Sequence, residues 1–283
     1  MILRVVLCTL GFTCGCGPPP QPLSVQHLCD GTTASELRVQ EGEGGGNRVQ
    51  PGAQVLYQNG FDFLVIDGEC HFWVQTKIWD FVHIGTFEHA DLPVLEERLG
   101  LAGWPPLAGT YSTGECDQPT RVYRLGGSTI LAYGGCGHDT FGPARVVQEA
   151  VQRSLQFIRD KGTPSDGPLR FVLVRYEAPW LPTDLEFRNA PIWPLAASAS
   201  ELSISERQAS VFRPADTHVV VGGEAASLRE LWTRFRAGQI GYWDQIADSG
   251  ELVPVKDADG KLYALFLRDV IPLEDPQGAW SAR

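Results

Sequence analysis

At 283 residues the chain has room for one large or two ordinary domains. A hydrophobic content of 43% and eight tryptophans exclude wholesale disorder and supply ample core. The formal charge is −11, with the acids scattered. Nucleic-acid phosphates need a basic stripe, so a nucleic-acid partner is excluded and the charge reads as ordinary solubility charge.

The chain opens with Met1-Ile2-Leu3-Arg4, a short segment with one positive charge, followed by an apolar run from Val5 to Phe12. That run is too short to remain in a bilayer, which needs roughly 20 residues, and has the length of a signal-peptide core. Leu10-Gly11-Phe12-Thr13-Cys14-Gly15-Cys16 then resembles the lipobox of bacterial lipoproteins, with Gly15 before Cys16 and Thr13 three positions before it. The family pattern has Leu where Thr13 stands, and Cys14 is a second candidate. The resemblance covers about the first 17 residues. It implies a diacylglycerol thioether on Cys16, a signal peptide over residues 1–15 and a location in the cell envelope. Gly17, not Asp, follows the cysteine, which in Gram-negative lipoproteins is permissive for outer-membrane sorting. The alternative is a plain secretory leader cleaved near Gly15 or Gly17.

Residues 16–28 form the lipidated end and a tether, Gly17-Pro18-Pro19-Pro20-Gln21-Pro22, of the extended kind that lifts a domain off a membrane. Of the seven cysteines, Cys8 and Cys14 would leave with the leader and Cys16 would take the lipid. Four remain, an even number that in an oxidising compartment allows two disulfides. Four cysteines permit three pairings, of which Cys29–Cys70 with Cys116–Cys136 is favoured because each bond closes a local loop around predicted strands. No paired-cysteine spacing suggests a metal, and no cofactor is expected.

Downstream, Glu36 to Gln40 alternates like a strand, and Glu41 to Asn47 reads as a loop. A meander follows: strands over Ala53–Tyr57, Phe61–Ile66 and Glu69–Gln75, with turns at Asn59-Gly60 and Asp67-Gly68. Phe81 to Phe87 adds a further strand. A helix over Leu92–Leu99 has Asp91 as N-cap and Pro93 in its first turn. Arg121–Arg124 and Ser128–Tyr133 make a hairpin that Cys116 and Cys136 would staple. Composition shifts near Gly134-Gly135-Cys136-Gly137, which suggests a division at residues 137–142. A long helix is expected from Pro143 to Lys161, a buried strand over Leu169–Tyr176 and a Pro- and Trp-rich loop over Glu177–Leu195. Glu201–Ser210 is ambiguous, and Thr217–Val221 reads as a short strand. Ser227-Leu228-Arg229-Glu230 reads as a capping box. Strands over Leu252–Val255 and Leu262–Leu267 flank a turn at Asp257-Ala258-Asp259-Gly260.

The fold class is therefore α+β. Residues 29–136 form a disulfide-stapled part of antiparallel hairpins and a meander, and residues 137–283 a mixed α/β part that is a second domain or the second half of one. The body resembles envelope lipoproteins of soil bacteria with GC-rich genomes, a resemblance that transfers no activity.

Candidate sites are few. Gly134 to Gly142 is Gly-rich, carries His138 and Asp139 and precedes a helix, but lacks the spacing of a phosphate-binding loop. His71, His83 and His89 lack metal-ligand spacing. Asp257-Ala258-Asp259-Gly260 echoes the start of a calcium loop, yet Arg268 stands where its bidentate carboxylate belongs. Trp180 and Trp193 mark the best candidate for an exposed aromatic binding surface. These signals support a lipid-anchored envelope lipoprotein that binds a protein partner or a cell-wall polymer, with the membrane contacted through its lipid. One alternative is a lipid-anchored hydrolase with a site near His138 and Asp139. Another is a secreted module acting on peptides.

Overall fold

The computed structural model describes residues 28–31, 36–42, 61–77, 80–116, 118–175, 190–205, 208, 217–237 and 252–271. The lipobox, the tether, Ala53–Tyr57, Asn59-Gly60 and Trp180 lie outside the described residues.

Two sheets carry the fold. The first contains β1 (Leu37–Gly42), β2 (Phe61–Ile66), β3 (His71–Val74), β4 (His83–Thr86), β5 (Gly109–Ser112), β6 (Thr120–Leu125), β7 (Ser128–Tyr133) and β8 (Thr163–Pro164). Its spatial order is β5-β7-β6-β1-β2-β3-β4-β8, antiparallel throughout except for the β5–β7 pair. Two helices, α1 (Leu92–Leu99) and α2 (Arg145–Arg159), cover one face. Leu37, Leu64, Ile66, Phe72 and Leu125 from the strands meet Leu95, Leu99, Val147, Val151 and Ile158 from the helices in one buried cluster. The period-2 alternation of the strands and the 3.6-residue stripe of α2 put these side chains on facing surfaces.

The second sheet contains β9 (Leu169–Arg175), β10 (Ser203–Ser205), β11 (His218–Val220), β12 (Val253–Lys256) and β13 (Leu262–Asp269). Its order is β10-β9-β13-β12, with β11 also on β9. β10 runs parallel to Leu173–Arg175 and β11 antiparallel to Leu169–Phe171, so two short strands share one edge of β9 end to end. A one-turn helix, α3 (Ala199–Leu202), leads into β10, and α4 (Gly222–Arg236) packs on the sheet through Ala225, Leu228, Leu231 and Trp232. β9 and β13 are buried on both faces: Leu173 and Leu265 on one, Val172, Val174, Ala264 and Phe266 on the other. This explains why both read as near-continuous apolar runs.

The α+β class and both disulfides are present. Cys29–Cys70 and Cys116–Cys136 join Cα atoms 4.9 and 4.5 Å apart. Several local expectations are corrected. The Asp67-Gly68 turn is not a two-residue turn with positive φ at its glycine. It spans Asp67 to Cys70, closed by Cys70 N–H to Asp67 O at 3.2 Å, and Cys70 itself takes the left-handed conformation with φ 70°. Asp67 organises it, its Oδ1 accepting from the N–H groups of Glu69 and His71 at 2.9 and 2.8 Å. Asp91 precedes α1 but makes no side-chain cap; its carboxylate takes Lys161 Nζ at 2.7 Å instead. Ser227 does not start a helix. α4 begins at Gly222, and the Ser227 hydroxyl lies inside it, donating to Gly223 O at 3.0 Å.

The change from one sheet to the other falls between β8 and β9, at residues 165–168. The glycines at 134–137 mark a bend. Beyond it α2 turns back onto the first sheet, because its apolar stripe is buried against that sheet's strands.

Close approach explains two other glycines. The Phe72 ring, stacked on Phe87 at 4.4 Å, fills the space between β4 and the corner after α2. A Cβ on Gly85 would come within 2.5 Å of Phe72 Cζ, and one on Gly162 within 2.8 Å of the Ile84 carbonyl oxygen. Gly162→Ala is therefore expected to lower stability by about 1–3 kcal/mol in chemical unfolding, the range for overpacking. Gly103→Ala, which meets nothing within 4 Å, is the control and should be neutral.

Candidate functional site

The predicted site residues are dispersed. His138 is exposed. Asp139 is committed to the start of the next helical segment: its Oδ1 accepts from Phe141 N–H at 2.8 Å and its Oδ2 from Arg145 Nη2 at 2.9 Å. Both residues face solvent, and the Asp139 carboxylate is engaged by Arg145 and the Phe141 N–H. Cys136 beside them is held in its disulfide. Trp193 is a correction to the exposed aromatic surface: it is 8% exposed, tilted on Phe171 at 5.6 Å, and donates its indole N–H to Ala197 O at 2.8 Å. It is core of the second sheet, pulled inward as its segment bridges to Lys256 on β12.

His71 is half-exposed and bonded through Nδ1 to Asp67 Oδ2 at 2.9 Å, and His89 is exposed. Asp257 is wholly engaged in its own turn. Oδ1 accepts from the N–H groups of Asp259 and Lys261 at 3.0 and 2.8 Å, and Oδ2 accepts from the Tyr263 hydroxyl at 3.0 Å. Burial works against the Asp257 charge, but these donors outweigh it and hold the carboxyl below its ordinary value. Burial, and then the bond to Asp257, push the Tyr263 hydroxyl up to about 12.

Sequence reasoning missed a polar cluster among the described residues, which lies where the two sheets meet. Asp80, on the connection into β4, is 8% exposed and sits between two helix ends. Its Oδ1 meets Arg236 Nη1 of α4 at 2.9 Å, and its Oδ2 meets Arg159 Nη1 of α2 at 3.3 Å. Thr76 donates to the same Oδ2 at 2.8 Å and accepts from Arg159 at 3.0 Å. Arg159 Nε lies 3.2 Å from His83 Nε2, and the ring's Nδ1 is buried. The next residues continue the contact. Phe81 lies edge-on to Trp232 of α4 at 4.4 Å, and Val82 donates its N–H to Asp269 Oδ2 at 2.8 Å. Asp269 also pairs with Arg229 of α4. Burial pushes the Asp269 carboxyl above its ordinary value, against the opposing pull of Arg229 and the Val82 N–H. Both Asp80 oxygens are used within the cluster, so its chemistry is attachment of one sheet to the other. No motif could reveal it, because its contacting pairs are 4 to 187 positions apart and most of them meet only in the folded chain.

Beside this cluster a cleft of about 110 Å³ opens between α2 and the first sheet. Val39, Phe63, Tyr123, Val151 and Leu155 provide its apolar lining, and Thr76, Arg121, Gln148 and Gln152 its polar groups.

Comparison with family models, with curated proteins and with solved structures finds no match for this chain.

Two outcomes are expected from this geometry. Asp80→Ala should lower stability by about 2 kcal/mol in chemical unfolding, less than for a fully buried pair because both arginines reach solvent. In ultraviolet titration Tyr263 should ionise about two pH units after an ordinary tyrosine. Its folded pKa is raised, so its stabilisation is complete below pH 10 and is lost as pH rises through about 12; Tyr263→Phe should remove that alkaline dependence.

Proposed function

We propose that the protein is an exported component of the cell envelope, held at the membrane by a lipid on Cys16, and that it acts by binding a protein partner or a cell-wall polymer. The observation that carries this reading is the pairing of cysteines. The four that remain after the lipobox form two disulfides, and one of them ties the start of the folded part to its sheet. Disulfides of this kind persist in oxidising compartments and are rare in reducing ones. Around Cys29 the chain is further fastened by Leu28 N–H to Glu96 Oε1 at 2.8 Å and Gly31 N–H to Gly68 O at 2.9 Å. A domain pinned at its first residues is suited to hang from a tether, since pull on the N-terminus meets a covalent link before it reaches the core.

Binding is favoured over hydrolysis by the engagement of Asp139 with Arg145 and the Phe141 N–H, which leaves His138 without a carboxylate partner at that loop. In a Gram-negative host, Gly17 after Cys16 would permit sorting to the outer membrane, as the lipobox resemblance implies.

Metabolic labelling with a palmitate analogue tests the anchor. The wild-type chain is expected to take the label and Cys16→Ala to lose it. Label retained in Cys16→Ala but lost in Cys14→Ala would move the site, and an unlabelled wild type would withdraw the anchor altogether. Affinity capture from detergent-solubilised envelopes, paired with co-sedimentation on purified peptidoglycan, then separates a protein partner from a wall polymer.

A further inference from the structure

The two disulfides sit in opposite surroundings. Cys70 is 8% exposed, and Cys29 packs half-buried against the same core. Cys116 and Cys136 are both exposed, where the chain has left β5 and β7 at the end of the first sheet. Thiol–disulfide exchange needs a thiolate to reach a sulfur from outside, and such access favours the second pair.

The backbone around the exposed pair is held independently of the sulfur bond. Thr113 donates its N–H to Tyr133 O at 3.0 Å, and Ser112 O accepts from the N–H groups of Thr140 and Phe141 at 2.9 and 3.1 Å. The Ser112 N–H donates in turn to Thr140 Oγ1 at 2.9 Å. The two segments lie so close that a Cβ on Gly134 would come within 2.5 Å of the Gln118 backbone, and one on Gly135 within 2.7 Å of Ser112 Oγ. Two thiols produced here would stay side by side, and closure would re-form the same bond without a search through other pairings.

The charges flanking the two sulfurs also differ. Cys116 stands between Glu115 and Asp117 in the sequence, whereas Cys136 stands between Gly135 and Gly137, with His138 exposed two positions on. A departing thiolate is disfavoured beside carboxylates. Cys136 is therefore the better leaving group, and Cys116 carries the sulfur that is attacked. The same carboxylates repel an anionic thiol and attract a cationic one.

We propose that Cys116–Cys136 is a thiol-exchange site for a dithiol reductant whose reacting face is neutral or positive. One thiolate of the reductant attacks Cys116 Sγ. The bond between the cysteines breaks, and Cys136 leaves as a thiolate that takes a proton from water. The reductant's second thiolate then attacks the mixed disulfide and releases Cys116, which takes a proton in the same way. Two electrons pass to the cysteine pair, and the reductant ends as a disulfide. The site rests on the disulfide and not on the Cys16 anchor, so the outcome of palmitate labelling does not bear on it.

Limited reduction of the full native chain in detergent, followed by alkylation and peptide mapping, tests it. Dithiothreitol is expected to open Cys116–Cys136 about tenfold faster than Cys29–Cys70 or more, and its removal under air to restore the same pair. With single thiols the mixed disulfide should map to Cys116. Cysteamine should react about tenfold faster than 2-mercaptoethanesulfonate once each rate is divided by its rate on hydroxyethyl disulfide, and Glu115→Gln should narrow that ratio by about threefold. Equal opening of the two disulfides, or opening of Cys116–Cys136 only in denaturant, would overturn the site. So would a mixed disulfide that maps to Cys136, or a preference for cysteamine that Glu115→Gln leaves unchanged.

Discussion

Three consecutive residues, Asp80, Phe81 and Val82, hold the two sheets in one arrangement. The first brings a carboxylate to two guanidiniums, the second an aromatic ring to Trp232, and the third a backbone N–H to a buried Asp269. Each sheet has its own apolar core, which fixes nothing about how the sheets face each other. Apolar contact is non-directional, whereas a carboxylate shared by arginines from two helices accepts few geometries. Val65, Val82 and Ile271 close a small apolar cluster at the same junction. The chain also crosses at this point: Ser165, just after β8, donates to Val82 O at 2.8 Å before the second sheet begins.

The same helix serves three purposes along its length. α2 buries Val147, Val151, Leu155 and Ile158 against the first sheet, roofs the cleft with Gln148 and Gln152, and ends in Arg159 at the junction. Thr76 belongs to both places, lining the cleft and bonding to Asp80 at the junction.

Near the N-terminal side the constraint is covalent. Cys29 and Cys70 both adopt left-handed backbone conformations, φ 63° and 70°, which residues other than glycine rarely take. Such positions persist where the surroundings over-determine them. Here the disulfide, the Asp67 turn and the Gly31–Gly68 hydrogen bond do so together. The turn that looked like a glycine turn is set by a cross-linked cysteine.

What the sequence by itself determined was local or covalent. The even set of four cysteines pointed to its pairing, because each pair encloses strands that neighbour each other. The Leu92–Leu99 helix, the 120–133 hairpin and the strands at 169–175 and 262–269 were legible from periodicity and turn residues, signals carried within a few positions. Trp193 was misread as surface because a Pro-rich segment gives no sign of the strand edge it will cover. His138 and Asp139 looked like a site because adjacency in sequence suggested adjacency in chemistry. Only the tertiary structure decided that α2 belongs to the first sheet, that Asp80, Arg159 and Arg236 converge, and that Phe63 and Val151 line one cleft. Those outcomes depend on contacts between residues far apart in the chain, whose energies arise only after the sheets have formed, so no window of sequence contains them.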